Sequence, residues 1–91
     1  MSDTDNIIFR KDIEEGPNAG MEFVVYNMLF NDRVCLGPKD GDFYDRGFCF
    51  PKGGYATVAC LTWDGTGDPP GPWIKEVGTT RYREPSPYQD A

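Results

Sequence analysis

Hydrophobic and polar positions follow one another along this chain in short runs cut by glycine and proline. Residues 22–30, EFVVYNMLF, form the strongest apolar run. Phe23, Val24, Val25 and Tyr26 favour a strand over a helix there, because aromatic and β-branched side chains fit a pleated, half-buried surface. A second run follows at Arg33–Val34–Cys35–Leu36–Gly37. The polar pair Asn31–Asp32 between the runs predicts a β-hairpin with a type I′ turn. Residues 47–51, GFCFP, predict a short strand closed by Pro51, and Gly53–Gly54 a turn.

Residues 55–63, YATVACLTW, alternate. Tyr55, Thr57, Ala59, Leu61 and Trp63 would share one strand face, and Ala56, Val58, Cys60 and Thr62 the other. Both faces are largely apolar or small, which predicts a central strand. Residues 64–72, DGTGDPPGP, hold three prolines and three glycines and predict an exposed loop. Residues 73–83, WIKEVGTTRYR, resume a β pattern, with Gly78 as a bulge or turn. Ahead of the hairpin, Ile7–Ile8–Phe9 predicts an edge strand or a segment packed from outside.

The pattern therefore predicts a mainly β, small single domain of about five short strands. The compact β-rich domain spans residues 21–83, after a polar N-terminal extension (1–20) and before a C-terminal tail (84–91). Such a sheet must hide its apolar face and manage its edges. An SH3-like or OB-like barrel does so by curling; the alternative is an open antiparallel sheet that pairs in a dimer.

Composition sharpens this. A chain of 91 residues holds one modest core. Aromatic residues, 14% of the chain, supply much of it, since each buries roughly 150–250 Å². The net charge of -6 is uneven: residues 1–45 carry ten acidic and four basic side chains, and residues 46–91 carry five of each. An acidic chain repels phosphate backbones, so nucleic-acid binding is disfavoured; the acidity points to a protein partner with a basic surface or, more readily, to solubility alone. Three cysteines, Cys35, Cys49 and Cys60, cannot close a disulfide framework. MSDTDNIIFR has neither the basic head nor the apolar run of a secretory leader. Buried or partly buried free thiols in the cytoplasm or another reducing compartment are the expectation, with one disulfide plus one free thiol as the alternative. No run reaches the length of a membrane span.

The chain contains no histidine, so it lacks the usual general base near neutral pH. Its only serines are Ser2 and Ser86, and it has no phosphate-binding glycine motif. The expectation is a non-enzymatic protein with no cofactor and no metal site. Asp40, Asp42 and Asp45 could offer oxygens to calcium, but they lack the EF-hand order, and a solvated turn with Phe43 or Tyr44 tucked inward is favoured. Trp63 and Trp73 flank the proline–glycine loop beside Asp64 and Asp68, where indoles either grip a partner or cap the core. Lys75, Arg81, Tyr82 and Arg83 read as an ordinary charged strand face rather than an RNA footprint.

The predicted function is a small acidic protein-binding module, an inhibitor or adaptor acting on a larger protein. Its candidate contact residues are Phe43, Tyr44, Asp45, Trp63, Asp64, Asp68 and Trp73. The alternative is a structural subunit of a homo- or hetero-oligomeric assembly.

Overall fold

The structure, a computed structural model, describes residues 6–39, 41 and 44–82. Five strands, β1 (Ile7–Asp12), β2 (Met21–Asn27), β3 (Asp32–Pro38), β4 (Arg46–Phe50) and β5 (Lys75–Glu76), form one antiparallel sheet in the order β1-β2-β3-β4-β5. Among the described residues a single helix, α1 (Tyr55–Thr62), lies between β4 and β5 in sequence and packs on one face of the sheet. The sheet is open, so the predicted barrel closure does not occur. None of the helices among the described residues is long and apolar enough to cross a membrane.

The apolar alternation of β2, β3 and β4 sets the core. Phe23, Val25, Val34, Leu36, Phe48 and Phe50 face α1, and Ala56, Ala59 and Cys60 of the helix meet them. Ile13, Trp63 and Trp73 fill the margins of this layer. On the other face Arg10 grips the buried Glu22 carboxylate at 3.1 Å.

The predicted central strand at residues 55–63 is instead this helix. The side chains it buries, Ala56, Ala59 and Cys60, recur at helical spacing and are all small, so the helix can lie close to the sheet. Gly53 (φ +118°) and Gly54 (φ +90°) turn the chain out of β4 in conformations that disfavour a Cβ. An eight-residue helix is too short to persist alone. It has no basic residue in its last turn, and Lys11 of β1 supplies that charge from across the fold, with Nζ 3.2 Å from the Cys60 carbonyl and 3.4 Å from that of Leu61.

The predicted hairpin forms with a different turn. Asp32 belongs to β3 and pairs with Asn27, so the connection is the four residues 28–31 rather than Asn31–Asp32. Asp32 is buried, and its carboxylate meets Lys52 Nζ at 2.9 Å. Ile7–Phe9 lies in the edge strand, so the sheet begins ahead of residue 21. Gly78 (φ +79°) turns the chain after β5, and Tyr82 returns to bridge Lys75.

Neither edge invites another strand. β1 carries Arg10, Lys11 and Asp12 and is interrupted by a register shift between Ile7 and Phe9. β5 has only two residues. Charge, irregularity and short length all discourage edge pairing.

Candidate interaction surface

Beyond α1 the chain runs without regular structure from Trp63 to Ile74. Both indoles point beneath this loop. Trp63 is stacked on Phe23, with ring centroids 5.3 Å apart, and meets Phe48 edge-on at 5.5 Å. Trp73 also meets Phe48 edge-on, at 5.1 Å. Phe48 thus contacts two indoles that are themselves buried. Trp63 and Trp73 approach a common ring, as two neighbours of one loop could, and both belong to the core, Trp63 also lining a shallow recess with Lys11, Asp12 and Asp64.

The loop is tied down over its first half. Trp63 Nε1 donates to the Thr66 carbonyl at 2.9 Å, and the Thr66 N–H donates to Asp64 Oδ1 at 2.9 Å. The Asn18 amide donates to the Asp64 carbonyl at 2.8 Å. Gly65 lies where an added Cβ would stand 2.7 Å from Asn18 Nδ2 and 2.9 Å from Leu36 Cδ2.

Two arginines then latch the loop. Arg46 from β4 donates to the Gly67 carbonyl and to Glu76, with Nε 3.1 Å from Oε2. Arg81 reaches Glu76 at 2.6 Å and Asp68 at 2.7 Å. Arg46 also lies over the Phe48 ring at 4.8 Å, and Arg81 over the Trp73 ring at 5.7 Å. The two cations and two carboxylates therefore form a neutral lid on the aromatic trio. The bonds to Asp68 and then Glu76 hold the Arg81 guanidinium above its ordinary pKa. Asp68, predicted as a contact residue, is thus engaged within the protein.

The outer side of the same region is apolar. Tyr55, Val58, Ala59 and Thr62 of α1 and Pro70 and Pro72 of the loop line a groove of about 110 Å³. Val58 is 61% exposed and Leu61 57%. No residue of α1 is charged. At the tip of the β2–β3 hairpin, Leu29 and Phe30 are 82% and 84% exposed.

The predicted contact residues do not converge. Trp63, Asp64, Asp68 and Trp73 belong to the loop. Tyr44 and Asp45 lie on the opposite face of the sheet, in a shallow recess with Arg33 and Cys35. The Tyr44 and Tyr26 hydroxyls are 2.6 Å apart. Burial, and then this hydrogen bond, hold the Tyr44 phenol above its ordinary pKa. Phe43, like Asp40, Asp42 and Arg83, lies outside the described residues.

Cys35 and Cys60 are buried thiols, as predicted. Burial pushes Cys35 up to about 11 and Cys60 up to about 12. Neither is a nucleophile at neutral pH. No group of three or more metal-binding side chains occurs among the described residues.

Sequence reasoning missed Tyr55, Val58, Leu61, Pro70 and Pro72 as a surface, and also Leu29 and Phe30. The signal for the helix was present in the small residues at 56, 59 and 60. Comparisons with protein-family models, curated proteins and solved structures found no match to this chain.

Proposed function

We propose that this chain is a small protein-binding module whose docking surface is the outer face of α1 with Pro70 and Pro72. The observation that carries the reading is a charge-free helix that exposes Val58 (61%) and Leu61 (57%) beside an apolar groove. Helices that are apolar all round are normally covered, and exposed apolar patches mark interaction sites. An enclosed apolar cavity of roughly 150 Å³ accepts a benzene ring. A groove of about 110 Å³ open on one side suits a single aliphatic or aromatic side chain as anchor. The arginine latch supports the reading, since it holds the loop wall in place before any partner arrives and so reduces the ordering cost of binding.

An inhibitor or adaptor role fits a module of this kind. The apolar groove would supply the residence time of the complex. The test is affinity capture from the native host with wild type, Val58→Asp and Ile8→Ser. Ile8 is also exposed (54%) but lies on the edge strand, so it controls for general stickiness. We expect Val58→Asp to lose a partner that Ile8→Ser retains. Capture of the same protein by Val58→Asp at an unchanged level would remove α1 from the binding surface.

A further inference from the structure

We infer that a second copy of this chain is the groove's partner, the Leu29–Phe30 tip of each copy seating in the α1–Pro72 groove of the other. The inference rests on the reading of α1 as a docking surface and names its occupant. Three observations carry it.

The first is complementarity within one molecule. The chain displays an apolar projection, Leu29 and Phe30, that is almost fully exposed. It also displays an apolar recess of side-chain size. When both halves of a contact are present on every copy, a two-fold arrangement makes the contact twice and closes the assembly.

The second is position. Asn27 pairs with Asp32, and Asp32 with Phe50, so the hairpin tip and the end of β4 share one end of the sheet. Lys52 bonds both Asn27 and Asp32 there, and α1 begins three residues later at Tyr55. The projection and the start of the groove-bearing helix are thus neighbours. A two-fold axis beside that end would set each tip over the opposite groove.

The third is charge. Two copies each carrying -6 repel, and a contact built from uncharged chain avoids setting like charges against each other. The two longest uncharged runs are residues 53–63 and 23–31, and the next relevant one is 69–74. These runs contain α1, the hairpin tip and the two prolines of the groove. The area is adequate for a reversible dimer. Leu29, Phe30, Tyr55, Val58 and Leu61 together expose on the order of 500 Å² per copy, which puts the pair near the threshold of roughly 1,000 Å² for a specific contact.

The test is light scattering and sedimentation equilibrium of the purified chain from about 1 μM to about 1 mM, a window that spans micromolar to millimolar affinities. We expect the mass to rise from 10.2 kDa towards twice that value. Phe30→Asp and Val58→Asp should each weaken association about tenfold or more. Both positions are exposed, and unchanged circular dichroism and melting would confirm intact folds. The two variants mixed one to one should associate more tightly than either alone, because the mixed pair restores one intact tip-in-groove contact. A strict monomer at 1 mM overturns the inference, and so does a dimer indifferent to both variants. Failure of the mixture to recover overturns the reciprocal arrangement. A monomer whose capture of a different protein is lost with Val58→Asp overturns self-pairing while leaving the docking surface standing.

Discussion

Phe48 is the side chain on which the aromatic layer turns, and replacing it with alanine tests the packing directly. It is 1% exposed, contacts Trp63 and Trp73 edge-on at 5.5 and 5.1 Å, and lies under Arg46. A buried Phe→Ala change costs about 3–5 kcal/mol, from lost transfer energy and the cavity left behind. A rigid surround pushes the cost to the upper end, and here two indoles held by the Thr66 carbonyl and by Arg81 cannot easily collapse inward. At roughly 0.05–0.15 kcal/mol per residue, a chain of this length holds about 5–14 kcal/mol in all. Phe48→Ala therefore removes about a fifth or more of the stability. At about 4–8 °C per kcal/mol for a domain of this size, the melting temperature should fall by roughly 12–40 °C. Urea titration followed by tryptophan emission is the natural assay, because both fluorophores touch the altered site. Ile74→Ala is the control: Ile74 is 42% exposed and should cost under about 1 kcal/mol. A loss of less than about 1 kcal/mol for Phe48→Ala, or one equal to the control, would refute this account of the core.

Four further outcomes are expected. In the folded protein at pH 8, a thiol reagent should modify Cys49 first, with Cys35 and Cys60 reacting only on unfolding; rapid labelling of all three would contradict their burial. The same two thiols are raised in the fold, to about 11 and about 12, so the unfolded chain loses their protons first and stability should fall as pH rises from about 9 towards 11, by up to about 1.4 kcal/mol per pH unit for each group. A flat urea midpoint over that window would show that they are not protected. Lys11→Met should lower stability by about 0.3–1 kcal/mol through loss of the cation at the end of α1, and a helix amide exchange pattern identical to wild type would refute the cross-fold cap. Asp68→Asn should detach Arg81 from the loop while leaving it on Glu76, and should speed amide exchange at Thr66 and Gly67, an effect that salt should mimic in the wild type; unchanged exchange would show that the latch does not hold the loop.

The strands were readable where side chains settle the matter locally. Phe23 to Tyr26 and Val34 to Leu36 are β-branched or aromatic in large part, and they form β2 and β3. The stretch from Tyr55 to Thr62 misled because Ala, Val, Cys and Leu satisfy a two-residue period as well as a helical one. What decides it is tertiary: the closeness of approach that Ala56, Ala59 and Cys60 allow, and a charge from Lys11, nearly fifty residues away. The hairpin turn was misplaced for a similar reason. Asp32 reads as a turn residue until Lys52 draws its carboxylate into the sheet. The indoles read either as core or as contact residues, and the structure buries both. The wall of prolines that the proposed docking surface takes from their loop is visible only once the helix beside it is known.

The consecutive strand order carries a consequence for how the chain assembles. β1, β2, β3 and β4 are joined by connections of eight, four and seven residues, so each closes a short loop and can pair early. β5 is different, because twenty-four residues including α1 separate it from β4. Trp63 leaves the end of the helix, whereas Trp73 arrives only as that last long segment docks. The two indoles are thus natural clocks for different stages. Refolding of single-tryptophan variants, Trp63→Phe and Trp73→Phe, should show the Trp63 signal developing no later than that of Trp73; the reverse order would mean that the final strand organises the sheet rather than completing it.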